Sequence, residues 1–213
     1  MKKIILSITS ISLLFLSNFM VFANDIDYGT IKNETYANQY FDMSLPVPKG
    51  WSVQSKAMIE NIAERGKDLV VGEDENMRAL LNEAEKQSVN LFAFFKYEVG
   101  APVGFNPSLI SVAELVAQMP GVKRGSDYLF HVKKFLKMGQ VEYTFDKEIF
   151  TTTLSGVSFD VMPVEIKAGN NSVYQEYYST RLKDYVLSFI VTYSNEAEYK
   201  ELMQHIGKLK LNG

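Results

Sequence analysis

Residues 151–193 read TTTLSGVSFDVMPVEIKAGNNSVYQEYYSTRLKDYVLSFIVTY, and this stretch decides the fold. Val157 to Lys167, Val173 to Arg181 and Tyr185 to Tyr193 are rich in β-branched and aromatic residues, the composition of strands. Ser155-Gly156, Gly169-Asn170-Asn171 and Lys183-Asp184 separate them, with a further strand expected before the first joint, around Tyr143 to Leu154. Joints this short make successive strands pair antiparallel. Directly afterwards, Ser194 or Asn195 caps a helix whose inward face carries Ala197, Tyr199, Leu202, Met203 and Ile206.

Outward from this meander the periodicity changes. Ser126 to Met138 places Leu129, Val132, Phe135 and Leu136 on one side of a helix and Lys133, Lys134 and Lys137 on the other. Ser111 and Glu114 have capping-box spacing ahead of Leu115 and Val116, which predicts a short helix stopped by Pro120-Gly121. Val89 to Val99, VNLFAFFKYEV, is nearly continuous in apolar residues, as in a strand covered on both faces. Two helices precede it. One starts at Ser55 with Met58, Ile59, Ile62, Leu69 and Val70 in helical spacing; the other starts at Glu73-Asp74-Glu75. Before them, Phe41, Met43 and Leu45 alternate with polar residues until Pro46 and Pro48 end the strand. Lys49-Gly50 then turns the chain, and Trp51-Ser52-Val53 restarts it, a hairpin-like entry into a sheet. The only tryptophan is expected to be largely buried, closing the core edge beside the following helix. Runs of adjacent strands flanked by helices give an α+β class with a mainly antiparallel sheet.

The chain start has the pattern of a secretory leader: Lys2 and Lys3, an apolar run from Ile4 to Leu16, and Val21-Phe22-Ala23 before a cut. The run is shorter than the roughly 20 apolar residues that span a bilayer. The expected organisation is a signal peptide at 1–23, a flexible polar arm at 24–37 and a single domain at 38–213. The destination is periplasmic or secreted, with no stable membrane anchor after cleavage. The 213 residues contain 22 basic and 25 acidic side chains; removing Lys2 and Lys3 with the leader leaves a net charge of −5. A mildly acidic chain with no basic run longer than Lys133-Lys134 is a poor nucleic-acid binder. With no cysteine, disulfides, thiol nucleophiles and Cys-based metal sites are excluded.

The phrases YFDMSLPVPKGWSV (40–53), TTTLSGVSFDVMPVEI (151–166) and VYQEYYSTRLKDYVLSFIVTYSNEAEYKELMQHIGKLKL (173–211) resemble the PsbP-like superfamily, which shares a strand, a Pro-x-x-Trp-type turn, a meander and a C-terminal helix. More narrowly, the chain resembles exported bacterial proteins of that fold in the two helical segments before VNLFAFFKYE and in FNPSLISVAELV (105–116). The resemblance implies an α/β/α sandwich on a twisted antiparallel sheet. Members of the superfamily stabilise the oxygen-evolving photosystem or bind a nuclear-transport GTPase, so it implies an accessory or binding role and no enzyme activity. It transfers no functional residue, because the shared motifs concern packing and turns.

Candidate chemistry is sparse. His131 and His205, the only histidines, fall on separate helices, where each reads as a surface or satisfied residue. Glu73-Asp74-Glu75 lacks calcium-loop spacing, and Gly156-Val157-Ser158 lies in a hairpin instead of ahead of a helix, unlike a hydrolase elbow. Carboxylate pairs such as Glu165 with Glu176 are candidates to face each other across strands, the minimum for acid–base work, and otherwise read as charges on the solvent face of a sheet. No metal, nucleotide or other cofactor is called for. The aromatic surplus is chiefly core, with a possible groove in which Trp51, Phe105, Tyr177 and Tyr178 contact a protein partner or a small apolar ligand.

Overall fold

The computed structural model describes residues 27–168 and 171–212. The expected leader, the first residues of the arm and positions 169–170 of one expected joint lie outside that range. In chain order the elements are β1 (Thr30–Lys32), β2 (Thr35–Asn38), β3 (Met43–Pro46), β4 (Ser52–Val53), α1 (Lys56–Val71), α2 (Glu75–Glu85), β5 (Ser88–Phe95) and β6 (Ser108–Leu115). They continue with α3 (Gly125–Leu136), β7 (Tyr143–Thr144), β8 (Phe150–Leu154), β9 (Val157–Ala168), β10 (Asn171–Leu182), β11 (Tyr185–Tyr193), α4 (Glu196–Ile206) and β12 (Lys210–Leu211). Among the described residues, no helix is long and apolar enough to cross a membrane.

An eight-stranded antiparallel sheet in the order β4-β5-β6-β11-β10-β9-β7, with β8 also on β9, divides the core in two. Strand alternation sends Ile110, Val112, Met162, Val164, Tyr177, Val186 and Ile190 to one face, where Ile59 and Ile62 of α1, Leu81 of α2 and Leu129 and Phe135 of α3 cover them. Leu109, Phe159, Val161, Tyr178, Leu187 and Phe189 point the other way. Their cover is Leu202 and Ile206 of α4, together with a four-stranded sheet in the order β1-β2-β3-β12 that contributes Tyr36, Met43, Leu45 and Leu211. The antiparallel α/β/α sandwich is therefore present, and its second outer layer is one helix plus a small sheet.

Helix α3 sits very close to the meander. A Cβ built on Gly125 would lie 2.0 Å from the Ser179 carbonyl oxygen, so only glycine allows this approach. The Asp160 carboxylate fixes the same corner by accepting from Ser126 N at 2.6 Å and Thr151 Oγ1 at 2.8 Å. Short turns then set the registers. Ser155 and Gly156, both at positive φ, join β8 to β9, and Leu182 pairs with Tyr185 across the two-residue turn into β11.

Several expectations are corrected. The 108–115 segment is a strand, not a capped helix. It lies between β5 and β11 and is buried on both faces, and this two-sided burial outweighs the Ser111/Glu114 spacing. The 24–37 arm is not free along its length, because β1 and β2 form a hairpin through Asn33 and Glu34, both at positive φ. Only Tyr36 and Asn38 of β2 are buried, so no hydrophobic period shows in the sequence. The strands around Trp51 are not a hairpin either: β3 belongs to the small sheet and β4 to the large one. Trp51 is half-buried, not largely buried. Its indole N–H donates to Glu201 Oε1 at 3.2 Å, tying the turn to α4 instead of to the following helix. The 143–154 region divides into β7 and β8, which pair with different parts of β9.

Candidate binding cleft

The site begins where β4 stops. Ser52 and Val53 pair with Phe95 and Phe94, and Gln54 N still donates to the Ala93 carbonyl at 3.0 Å. The Ser55 side chain then accepts from Met58 N and starts α1, so the chain leaves the sheet after a very short strand. Strand β5 continues back to Ser88. Among the described residues, no strand pairs with it from Ser88 to Phe92 on that side. A register shift between Asn90 and Phe92 inserts Leu91 as a bulge and turns both Leu91 and Phe92 toward the small sheet.

A cleft of about 510 Å³ opens along this bare edge. One wall is the α1–α2 side, with Ile59, Ala63, Leu81 and the charged residues Glu60, Glu64, Lys67 and Glu85. The opposite wall is the β1–β2 hairpin, with Tyr28, Ile31 and Tyr36. Tyr36 packs on Phe92 with ring centroids 4.8 Å apart, and its hydroxyl donates to the Tyr28 carbonyl at 2.9 Å. Burial pushes that hydroxyl's pKa up, so it stays a neutral donor. Gly29 makes the close turn possible, since a Cβ there would lie 2.4 Å from the Tyr36 hydroxyl. Asp27 holds the hairpin base by accepting from Gly29 N at 2.8 Å and Gln39 N at 2.6 Å.

Lys67 ties the other wall together. Its ammonium is nearly buried and contacts Glu64 at 2.6 Å, Glu85 at 2.8 Å and Asn82 Oδ1 at 2.9 Å. Burial alone would lower its pKa, but the two carboxylates outweigh that and raise it, so it remains charged. Lys56 lies over the Tyr28 ring at 4.2 Å. With both lysines engaged, the lining contains three glutamates against two lysines. Glu60 is exposed at the rim.

The four aromatic residues expected to share a groove do not meet in one. Tyr177 and Tyr178 are adjacent on β10 and project to opposite faces, both buried. Tyr177 donates to Gln175 Oε1 at 2.9 Å, and Tyr178 donates to Glu176 Oε2 at 2.5 Å. Phe105 packs on the first core with Tyr177, while Trp51 packs on the second with Tyr178. These contacts are architecture, because strand alternation separates neighbours by the thickness of the sheet.

The other candidates have structural partners. Glu165 pairs with Tyr174 and Glu176 with Pro163, which makes the two carboxylates diagonal instead of opposite. Glu165 accepts from Ser172 at 2.5 Å, and Glu176 also accepts from Tyr193 at 3.2 Å. His205 is buried, with Nε2 at 2.5 Å from the Pro46 carbonyl; burial lowers its pKa. His131 lies half-buried on α3, away from His205. Asp74 caps α2 by accepting from Met77 N at 2.9 Å. Among the described residues, no three His, Asp or Glu side chains group as metal ligands.

The parts of the cleft are scattered along the chain, and the sequence carries one signal for it. Only Ser52, Val53 and Gln54 separate the Trp51 turn from the Ser55 helix cap, whereas the next apolar run is several residues longer. A short strand beside a long one must leave part of an edge bare.

No protein-family model matches this chain. No curated protein sequence matches it either. Among solved structures, the chain is similar to cyanobacterial PsbP (CyanoP) from Synechocystis sp. PCC 6803 in solution, with 9% sequence identity. The match covers 86% of this chain and 98% of that one, with a TM-score of 0.49.

Proposed function

We propose that this protein is an exported, non-catalytic accessory protein that acts by holding a protein partner in the cleft between α1, the β1–β2 hairpin and the start of β5. The bare β5 edge within a cavity of about 510 Å³ carries the reading. Exposed strand edges invite pairing unless they are covered, and a cleft combining backbone, aromatic and charged walls suits a polypeptide better than a purely apolar molecule. The leader pattern at 1–23 supports export to the periplasm or beyond. The separate hydroxyl partners of Glu165 and Glu176 argue against an acid–base pair. A second reading, a small apolar ligand, draws on the cavity's size, which is within the range of about 300–1,000 Å³ typical of small-molecule sites.

Site-specific photocrosslinking in the producing cell tests the proposal. A photoreactive residue at Ile31, 40% exposed on the cleft wall, is expected to give discrete protein adducts. The same residue at Phe150, 45% exposed on β8, is expected to give none of them. Identical adducts from both positions, or no protein adduct from position 31, would refute it.

A further inference from the structure

We infer that the cleft binds its partner by strand addition, taking an extended peptide of about five residues onto the bare edge of β5 in line with β4. This rests on the reading of the cleft as the partner site and names how the partner is recognised.

The registers define the path. Ser52 lies opposite Phe95, Val53 opposite Phe94, and Gln54 donates to Ala93. Had β4 continued, its next residues would have run past Phe92, Asn90 and Ser88. The chain instead turns into α1 at Ser55, and the cleft follows the path it leaves. Both Asn90 and Ser88 remain half-exposed there, although Val89 between them and Leu91 beyond are buried. A strand in this position gains main-chain hydrogen bonds to β5, and its side chains alternate between the two walls.

Those walls specify opposite chemistry. Side chains turned toward the hairpin meet Ile31 and Tyr36, which favours Val, Ile or an aromatic residue. Side chains turned toward α1 meet Glu60 and Glu64 at the rim. Glu64 is already shared by Lys67 and Arg78, and Glu85 is held by Lys67, so it is the exposed Glu60 that favours a Lys or Arg in the peptide. The expected ligand is an alternating apolar–basic strand from another protein.

The test uses the mature protein and an acetylated, amidated peptide of sequence Thr-Val-Lys-Val-Lys-Val-Thr. Two further versions are N-methylated at either the odd or the even positions. Strand addition directs only one of these sets at β5, so one version is expected to bind at least tenfold more weakly and the other to remain within about threefold of the parent. Amide exchange at 88–92 is expected to slow on binding. Glu60→Gln, an exposed change, is expected to weaken the parent peptide about threefold at low salt with no change in melting temperature. Unchanged affinity in that variant would overturn the basic-residue preference. Equal effects of the two N-methylated versions, slowed exchange elsewhere, or no peptide binding would overturn strand addition. Photocrosslinking at position 31 distinguishes the two levels of failure. If discrete protein adducts form there while the peptide does not bind, strand addition fails but the cleft remains the partner site; if neither is seen, both readings fail.

Discussion

At one end of the large sheet, β10 pairs with β9 and with β11 over nine residues in each ladder; at the other, β4 covers two residues of β5. The long ladders pair strands close in sequence and are covered on both faces, so their contacts form at low loop-closure cost and protect one another. The short pairing leaves an edge, a bulge and a cleft. Within one continuous sheet, then, the meander carries the long ladders and the β4–β5 end leaves backbone unpaired, where we propose the partner binds. Binding regions are commonly drawn from the less stable parts of a structure.

The contrast can be broken most severely at its stable end. Phe189 is fully buried and packs on Phe92 and Phe159. Phe189→Ala is expected to cost about 4 kcal/mol, read as a lower urea midpoint at unchanged slope. Gly125→Ala comes next, because its methyl would collide with the Ser179 backbone and lift α3 from the meander. A loss of about 3 kcal/mol is expected, and an unchanged midpoint would show that α3 shifts freely.

Trp51→Ala should cost less, about 1–2 kcal/mol, since the indole is half-buried and its one hydrogen bond goes to a partly exposed carboxylate. A loss near that of Phe189→Ala would mean that the Trp51 turn belongs to the stable centre.

Acid titration sharpens the comparison further. Burial lowers the His205 pKa, and Lys208 lowers it too, while the bond to Pro46 and the Glu201 charge oppose the shift. The unfolded chain therefore binds a proton at higher pH than the folded one. The stability linked to His205 is complete above the ordinary histidine pKa of about 6.5 and is lost as pH falls through the lower folded value. Urea midpoints across that range should fall in the wild type and fall less in His205→Gln. Identical pH profiles would assign the loss to other groups, including His131, whose pKa burial also lowers. The smallest effect is expected at the cleft: Ile31→Ala should change stability by no more than about 0.5 kcal/mol.

How far each end could be read from sequence follows from the same physics. The meander is legible because its strands, from Val157 to Tyr193, are dense in β-branched and aromatic residues, and joints of two or three residues allow almost no other pairing. Ser55, Asp74 and Asn195 cap helices as their side chains suggest. Ser111 and Glu114 of strand β6 mimic a helix cap in the sequence; Glu114 is instead buried and accepts from Tyr128 at 2.7 Å. Local spacing cannot reveal a partner fourteen residues away on another element. The hairpin of β1 and β2 was hidden by its polarity, since Tyr36 finds its aromatic partner, Phe92, only in the folded chain. For the same reason, ring content points to Trp51, Phe105, Tyr177 and Tyr178, which pack in or against the two cores, whereas the cleft arises from where a strand ends.

Native-state hydrogen exchange at increasing urea tests the central contrast most directly. Amides of Tyr177 and Ile190 are expected to exchange only through global unfolding, with a urea dependence equal to that of the whole molecule. Amides of β1, β2 and α1 around the cleft should open at lower free energy and with a shallower dependence. One common opening free energy across both ends, or later opening at the cleft than in the meander, would contradict the division of this sheet into a stabilising end and a proposed binding end.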